Sequence, residues 1–334
     1  MIYNDINFNQ KTILITGGAG FIGSNLAFYF QENYPDSHVV VFDCFRSEAT
    51  FTNGNLQSFG HYKNLIGFTG DVICGNINNK ADLALLDDYK FDYMFHQAAI
   101  SDTRVYDQEI VMQTNVNSFY DLLNKAKGDD AVMVYASSAA TYGSLPSPQT
   151  VGTENPENPY GFSKYMMDQI AYRYSRENPN MTIVGLKFFN VYGPREYYKA
   201  KTSSMVIQLG HQILSGNAPK LFEGSDQILR DFINIEDVVQ ANIKACNPKQ
   251  NGTYNVGTST PRSFQDIADI LQTELGTDLG TNYITNPYDG YQMHTQADIS
   301  TSQTNLGFEP VVSLEEGIKA YITDIKRLHG TDIS

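Results

Sequence analysis

A tyrosine and a lysine stand at a spacing that could do acid–base chemistry. Tyr160 and Lys164 lie four residues apart in a segment opened by Pro156 and Pro159, and this spacing places both side chains on one face of a predicted helix. A free tyrosine is a poor base at neutral pH because its pKa is ~10, but a nearby ammonium group stabilises the phenolate. We therefore expect Tyr160 to accept a hydroxyl proton during oxidation of the adjoining carbon, with Lys164 as its cation.

A serine belongs to the same predicted site. Ser138 ends an apolar run that is typical of a strand, and the carboxyl ends of strands in an open parallel sheet line the ligand crevice. Ser138 is therefore expected to hydrogen-bond the reacting oxygen. The Tyr-x-x-x-Lys spacing alone is also common on surface helices that have no function, but its occurrence after a strand-end serine favours the catalytic interpretation.

A glycine-rich turn precedes these residues. Gly17, Gly20 and Gly23 follow a short apolar run and open a helical pattern near Phe21. The first glycine permits a tight turn, the second lets backbone approach a pyrophosphate, and the third lets helix and strand pack closely. The helix start offers N–H groups to phosphate oxygens. With Asp43 ending a second predicted strand, 20 residues after Gly23, the pattern predicts dinucleotide binding rather than a glycine turn without a ligand.

The residues leave the identity of the dinucleotide open. An acid such as Asp43 accepts a hydrogen bond from a ribose 2′-hydroxyl and favours NAD. Arg46 and Lys63 could instead hold the 2′-phosphate of NADP.

Short apolar runs alternate with helical patterns through the first 190 residues, which predicts βαβ units and a parallel sheet. The predicted strands are Thr12–Thr16, Val39–Phe42, Val72–Cys74, Tyr93–His96, Val132–Ala136 and Thr182–Phe188. The predicted helices are Phe21–Asn33, Ala81–Leu86, Val105–Lys127 and Tyr160–Glu177.

The pattern becomes less regular after Asn190. Helices are predicted at Ser203–Ser215, Glu236–Cys246, Ser263–Leu275 and Leu314–Leu328, and short strands near Lys220–Phe222, Phe232–Ile235 and Tyr283–Ile284. We expect an α/β protein with a Rossmann-type, doubly wound parallel sheet and a smaller α/β C-terminal part for the substrate. Residues 1–190 would mainly form the dinucleotide-binding domain and residues 191–334 mainly the substrate domain, with the chain crossing back to the sheet.

Composition and charge exclude several classes of protein. The 334 residues include 37 acidic and 23 basic ones, a net charge of −14, without a cluster of Lys and Arg, so no nucleic-acid partner is expected. No run approaches the ~20 apolar residues that cross a bilayer, and the N-terminus lacks the features of a secretory signal. Three scattered cysteines and no histidine pair at metal-ligand spacing predict a cytoplasmic protein without a disulfide framework, a metal site or a membrane partner.

The chain resembles the extended short-chain dehydrogenase/reductase family. The matching stretches cover it nearly end to end and are ITGGAGFIGSN (15–25), YASSAATYG (135–143), YGFSK (160–164), FFNVYGPRE (188–196), KLFEGS (220–225), RDF (230–232) and YQMHTQAD (291–298). The first and third stretches are shared by the broad family. The others are more selective, and within the family they resemble the ADP-heptose 6-epimerases.

The resemblance implies an epimerase that inverts C6″ of ADP-D-glycero-D-manno-heptose by transient oxidation and re-reduction, for the inner core of lipopolysaccharide. It favours NADP as the bound cofactor, with NAD as the alternative, and implies a homo-oligomer, with a pentamer as one form. Another nucleotide-sugar epimerase, such as a UDP-hexose 4-epimerase, is the first rival. A non-catalytic dinucleotide-binding scaffold or sensor is the second, and the presence of both tyrosine and lysine argues against it.

The resemblance also implies roles for individual residues. It places Tyr160 and a second acid–base residue, Lys199, on opposite faces of the sugar, and Lys201 competes with Lys199 for that role. The implied cofactor contacts are Phe21, Ile22, Asp43, Asn115, Lys164 and Val191, with a wall beside the cofactor made of Gln97, Ala98, Ala99, Ile100 and Ser101. The implied substrate contacts are Asn190, Phe222, Glu223, Gly224, Ser225, Arg230 and Tyr291.

Arg230 has a second, simpler interpretation. A partly buried arginine offers a bidentate fork to a diphosphate. The same side chain could instead form a salt bridge with Asp231 or Glu236, and the residues alone do not separate the two.

Overall fold

The computed structural model describes residues 2–3, 5–287 and 292–331. Its strands are β1 (Thr12–Thr16), β2 (His38–Asp43), β3 (Asp71–Cys74), β4 (Tyr93–His96), β5 (Val132–Ser138), β6 (Ile183–Phe188), β7 (Asn190–Tyr192), β8 (Lys220–Phe222), β9 (Leu229–Arg230), β10 (Phe232–Asn234), β11 (Gly252–Val256), β12 (Arg262–Ser263) and β13 (Asn282–Ile284). Its helices are α1 (Phe21–Asn33), α2 (Lys80–Leu83), α3 (Gln108–Met112), α4 (Ser118–Asp129), α5 (Pro159–Glu177), α6 (Met205–Leu214), α7 (Ile235–Lys244), α8 (Phe264–Leu275), α9 (Ser300–Leu306) and α10 (Leu314–Leu328).

Seven strands form the central sheet, in the order β11-β6-β5-β4-β1-β2-β3. Every neighbouring pair is parallel. The strand order reverses between β1 and β4, the point at which open α/β sheets bind ligands. Apolar side chains of α1 and α7 cover one face of the sheet, and those of α4 and α5 cover the other. The predicted α/β class with a doubly wound parallel sheet is confirmed.

The strands of this sheet are hydrophobic because both faces are covered. All residues of β6 are buried, and one of them is a lysine, Lys187. Since a buried charge must be paired, this lysine marks a cluster of ionic contacts inside the fold.

Several predicted strands and helices begin and end at the residues that the structure shows, and others do not. β1, β4, α1 and α10 begin and end where the sequence indicated. The single helix predicted at Val105–Lys127 is wrong, because α3 begins at Gln108 and a wider π turn at Gln113–Asn117 separates it from α4. The predicted strand at Thr182–Phe188 begins one residue later, at Ile183.

The seventh strand of the sheet, β11, was not predicted. It comes from the second half of the chain and pairs in parallel with β6. Its five residues, GTYNV, are too short and too mixed to show a period of two. The pairing that defines this strand is therefore invisible in a local pattern.

The second half of the chain also builds three small sheets and a helical layer. β7 pairs with β10, β9 with β12, and β8 with β13. α6, α8 and α10 pack around a separate apolar core that includes Val206, Leu271 and Ile325. Within the described ranges, none of the helices has the length and hydropathy needed to cross a membrane.

Candidate active site

A cavity of about 590 Å³ lies at the carboxyl ends of the central strands. Most of the predicted site residues line it: Gly17, Gly20, Phe21, Ile22, Gly23, Asp43, Gln97, Ala98, Ala99, Ile100, Ser101, Ser138, Tyr160, Lys164, Asn190, Val191, Lys199 and Arg230. Residues that are up to about two hundred positions apart in the sequence therefore face one space.

The glycine loop has the tight geometry that its sequence predicts. Gly17 has a φ of +70°, and a Cβ atom there would lie 2.7 Å from the Ala98 nitrogen. A Cβ atom on Gly23 would lie 2.3 Å from the Gly17 oxygen. Gly20, the N-cap of α1, has no side chain to bind the first amides of the helix. These amides are therefore available to phosphate oxygens, and the loop fits a dinucleotide pyrophosphate.

Asp43 lies at the end of β2, buried at the rim of the loop. Its carboxylate accepts backbone N–H groups from Ala19 at 3.0 Å and from Phe45 at 2.8 Å. Burial raises the pKa of Asp43, and these two hydrogen bonds oppose the rise. Because each carboxylate oxygen retains acceptor capacity, Asp43 can still accept a hydrogen bond from a ribose hydroxyl.

From the sequence, two cations, Arg46 and Lys63, are candidate partners of a 2′-phosphate. Neither residue is part of the described cavity lining. The Arg46 guanidinium donates to the Tyr198 carbonyl oxygen. The Lys63 ammonium lies 5.8 Å from the centre of the Tyr198 ring. Both cations thus converge on Tyr198, and the Arg46 amide binds the Gly60 oxygen beside Asp43 at 2.7 Å.

Asn115 supports the wall of the cavity rather than lining it. Its side chain is fully buried and pairs with the Ile100 backbone, accepting from the nitrogen at 2.8 Å and donating to the oxygen at 2.9 Å. It also donates to the Ser163 hydroxyl at 2.9 Å. Asn115 therefore joins the wall to α5. The π turn at Gln113–Asn117 carries it, a feature that no sequence period indicated.

Tyr160 and Lys164 share the first turns of α5, as predicted. The N-cap Asn158 accepts the Gly161 amide at 2.8 Å, and Pro159 occupies the first helical position, where it needs no hydrogen-bond partner. The Lys164 ammonium lies 5.9 Å from the centre of the Tyr160 ring. Local sequence alone thus positions both side chains.

Contacts with β5 complete this group. The Lys164 ammonium donates to the Ala136 oxygen at 2.7 Å, and the Ser138 hydroxyl hydrogen-bonds the Tyr160 phenolic oxygen. Burial raises the pKa of Tyr160, and the Ser138 hydrogen bond opposes this rise. Burial lowers the pKa of Lys164 to about 8. Because the pKa of Tyr160 is raised, this residue can act as a base at neutral pH only when positive charge nearby stabilises its phenolate.

Lys199 and Lys201 have different environments. Both belong to the turn Tyr197–Thr202, but Lys199 lines the cavity, whereas Lys201 is exposed to solvent. The Lys199 ammonium lies 5.6 Å from the centre of the Phe21 ring. Burial lowers the pKa of Lys199, and the Glu196 carboxylate opposes this effect. Of the two lysines, Lys199 therefore faces the cavity and Lys201 does not.

Glu196 is a site residue that sequence reasoning missed. It is fully buried and accepts hydrogen bonds from the Gly193 amide at 3.1 Å, the Ser204 amide at 2.6 Å and the Ser204 hydroxyl at 2.8 Å. These donors lie on both sides of the turn that carries Lys199. The sequence shows a carboxylate three residues before Lys199, but only the fold shows that this carboxylate is buried.

Arg230 lines the cavity together with Phe232 and Phe264. Its guanidinium donates to the Leu229 oxygen at 2.9 Å and to the Gln292 oxygen, and lies 5.7 Å from the Phe264 ring centre. Asp231 accepts hydrogen bonds elsewhere, from the amides of Thr258 at 2.6 Å, Ser259 at 2.9 Å and Ala297 at 2.9 Å. The arginine is thus held in place by carbonyl oxygens at a cavity wall.

The remaining predicted substrate contacts are not brought together with Arg230. Phe222, Glu223, Gly224 and Ser225 lie outside the described cavity lining. They form a tight turn that begins at the last residue of β8, and the Ser225 amide donates to the Phe222 oxygen at 3.0 Å. Tyr291 lies outside the described residues.

His96, the last residue of β4, is a core residue. It is buried, its Nδ1 atom lies 2.7 Å from the Thr16 hydroxyl, and burial lowers its pKa to about 3. Among residues 2–3, 5–287 and 292–331, no group of three or more His, Cys, Asp or Glu side chains could hold a metal ion.

Known proteins share this architecture. An ADP-L-glycero-D-manno-heptose-6-epimerase from Brachyspira hyodysenteriae is 34% identical over 325 residues, which cover 95% of this chain and 99% of that protein. The crystal structure of ADP-L-glycero-D-manno-heptose-6-epimerase from Helicobacter pylori superposes with a TM-score of 0.90 at 50% identity, covering 98% of this chain and 99% of the other. UDP-glucose 4-epimerase from Thermotoga maritima superposes with a TM-score of 0.83 at 26% identity, covering 95% and 99%.

The family match covers the central sheet together with helix α5. Residues 13–257 match the NAD dependent epimerase/dehydratase family. This segment begins in β1 and ends just after β11, the last strand of the central sheet. The chain belongs to the NAD dependent epimerase/dehydratase family.

Proposed function

We propose that this chain inverts C6″ of ADP-D-glycero-D-manno-heptose to form ADP-L-glycero-D-manno-heptose. The observation that carries the proposal is that Tyr160 and Lys199, on separate elements, line one cavity with the glycine loop and Arg230. Two acid–base groups beside a dinucleotide site are what an oxidation followed by a reduction on the opposite face requires. The names of two relatives, 34% and 50% identical over nearly the whole chain, supply the substrate.

The chemistry follows from the position of the inverted carbon. C6″ is not next to a carbonyl group, so its C–H bond is not acidic and simple deprotonation cannot invert it. A nicotinamide dinucleotide, when bound, supplies a hydride acceptor and then the hydride donor. The glycine loop, the start of α1 and Asp43 would hold this group.

The side chains of the chain move the protons. Tyr160 accepts the C6″ hydroxyl proton as hydride leaves the same carbon, and Ser138 hydrogen-bonds the oxygen that becomes a ketone. The Lys164 ammonium favours the phenolate of Tyr160. The ketone then turns over, hydride returns to its other face, and Lys199 donates the proton that completes the new hydroxyl group. In the opposite direction the two groups exchange roles.

We propose NADP as the dinucleotide. The support is the position of Arg46, which follows the end of β2 by three residues and whose amide donates to the Gly60 oxygen beside Asp43. A guanidinium that turned from Tyr198 toward Asp43 would offer two N–H donors to a 2′-phosphate. Mass spectrometry of the molecule released from the denatured protein tests this. Release of NADP is expected, and release of NAD alone would contradict it.

We also propose that the two parts of the chain bind different ligands. Residues 1–190 would mainly bind the dinucleotide and residues 191–334 mainly the nucleotide sugar, although β11 of the second part completes the central sheet. We further propose a homo-oligomer, with a pentamer as the form to test by light scattering. Action in the cytoplasm stays a prediction from cysteine usage.

The direct test is an NMR assay of the purified protein with ADP-D-glycero-D-manno-heptose and no added cofactor. Appearance of the L-glycero epimer is expected, because a cofactor regenerated in each cycle should stay bound. An unchanged spectrum, even after addition of NADP⁺ and NAD⁺, would contradict the substrate assignment. Conversion of a UDP-hexose in the same assay would then identify a 4-epimerase.

A further inference from the structure

A buried ion cluster lies behind α5, outside the cavity. Lys187 on β6 is fully buried, and its ammonium donates to Asp168 Oδ2 at 2.6 Å and to Thr141 Oγ1 at 2.9 Å. Glu154 Oε1 lies 3.1 Å from the same ammonium. Charges removed from water are costly even when they are paired. None of these ions takes part in the chemistry proposed above.

Asp168 joins the two elements that carry the Ser–Tyr–Lys group. It lies one helical turn beyond Lys164 and accepts hydrogen bonds from Ser137 Oγ at 2.9 Å and from Tyr135 OH at 2.9 Å. Both donors belong to β5, the strand that ends at Ser138. The carboxylate therefore holds the catalytic face of α5 and the carboxyl end of β5 in one register.

The cluster also brings negative charge close to Lys164. Two carboxylates, Asp168 and Glu154, share the single ammonium of Lys187. The titratable groups that face Lys164 from the elements packed against it are Tyr160, Asp168 and His96. The histidine is buried and neutral, so the carboxylate is the charged group among them that favours an ammonium.

We propose that Asp168 is a positioning residue of the active site, which holds α5 against β5 and keeps Lys164 in its ammonium form. This inference rests on the roles of Ser138, Tyr160 and Lys164 in the proposed function. It adds to them a residue that touches neither the substrate nor the cofactor. The Lys187 ammonium balances the charge of Asp168 and is shared with Glu154.

The expected direction follows from two opposing effects on Lys164. Burial lowers the pKa of this lysine to about 8, and the Asp168 carboxylate raises it. An uncharged amide at position 168 would leave burial unopposed, so Lys164 would lose its proton at a lower pH. At neutral pH fewer molecules would then hold the cation that favours the Tyr160 phenolate.

The test is an NMR titration of the full chain with carbon-13 at the Cε atoms of its lysines. The Lys164 signal is assigned by its loss in the Lys164→Arg variant. In Asp168→Asn the pKa of Lys164 is expected to fall by about one unit. Asp168→Glu keeps the charge and should restore most of the original value.

Tyr135→Phe is the matched control, because it removes one hydrogen bond to Asp168 and no charge. The pKa of Lys164 in this variant is expected to stay within about 0.3 unit of the unmodified chain. Activity gives a second readout. In Asp168→Asn the alkaline limb of the pH–kcat profile should move to lower pH, whereas in Tyr135→Phe it should not move.

An unchanged pKa of Lys164 in Asp168→Asn would overturn the proposal. Should that variant yield too little folded protein, Asp168→Ser makes the same test, because it also removes the charge at position 168: a fall in the pKa of Lys164 is expected, and no shift would contradict the proposal. Failure of the proposed function is a separate result. A chain that leaves ADP-heptose unconverted would lose its substrate assignment, while the titration, which needs no substrate, would still report on Asp168.

Discussion

The two acid–base groups that we propose for the cavity are held in different ways. The helix arm, Tyr160 and Lys164, stands on the 19-residue helix α5. The turn arm, Lys199, stands in the six-residue turn Tyr197–Thr202. The helix repeats one backbone conformation, whereas the turn contains Ala200 with a φ of 52° and a ψ of −123°, which residues other than glycine rarely adopt.

A buried carboxylate supports each of the two arms, but the two carboxylates have different contacts. Asp168 lies on the same helix as the helix arm and adds to a geometry that helical periodicity already sets. Glu196 binds Gly193 and Ser204 on either side of the turn arm and so creates its geometry. The relative position of Tyr160 and Lys164 is therefore set within α5, whereas the position of Lys199 depends on one carboxylate outside the turn.

Loss of the Tyr160 hydroxyl should have the largest effect. Tyr160→Phe is expected to lower turnover of ADP-D-glycero-D-manno-heptose by about 10³–10⁴-fold, near the upper end for acid–base groups, with the melting temperature unchanged. NMR of the epimer ratio measures the rate. Tyr172→Phe, on an exposed position of the same helix, is the control and should retain full activity. Turnover within tenfold of normal in Tyr160→Phe would remove the helix arm from the mechanism.

The two lysines of the turn Tyr197–Thr202 should differ in their effect on turnover. Lys199→Met is expected to lower turnover by about 10²–10³-fold, because the cavity loses its second proton donor. Lys201→Met replaces an exposed side chain and is expected to cost less than about tenfold. Initial rates under saturating substrate compare the two. A larger loss in Lys201→Met would assign the second role to Lys201 instead.

Glu196 should influence the pH at which Lys199 loses its proton. Its carboxylate raises the pKa of Lys199 against the effect of burial, so Glu196→Gln should lower that pKa. The alkaline limb of the pH–rate profile, which reports loss of a proton from Lys199 as well as from Lys164, is then expected to move to lower pH. Kinetics between pH 6 and 10 measure the limb. A limb that stays in place, in a variant that retains its fold by circular dichroism, would contradict the link between these residues.

The backbone of the turn arm should give the smallest effect. Ala200→Gly relieves a conformation that alanine adopts at a cost, and is expected to raise the free energy of unfolding by about 1 kcal/mol. Ala84→Gly is the matched control, since Ala84 is exposed with a φ of −62° and should lose about 0.5–1 kcal/mol. Urea denaturation compares them. Destabilisation by both substitutions would show that the turn holds no strain.

The same contrast explains what could be predicted from the sequence. β1, the glycine loop, α1 and the spacing of Tyr160 and Lys164 depend on neighbours in the chain, and all were predicted correctly. β11 is defined by pairing with β6, Asn115 faces Ile100 only because of a π turn, and the carboxylate of Glu196 is buried only in the folded chain. Contacts between distant segments decide these features, so periodicity and spacing do not show them. For that reason Lys199 and Lys201 were not separated until the fold placed one in the cavity.

The central claim is that C6″ is inverted by removal and return of the same hydride between the two arms. The most direct measurement follows deuterium placed at C6″ of ADP-D-glycero-D-manno-heptose during conversion in ordinary water. Our account predicts that the L-glycero product retains the full label at C6″, because hydride leaves and returns without exchange with solvent. Replacement of the label by solvent hydrogen would show inversion through a carbanion and would contradict the account.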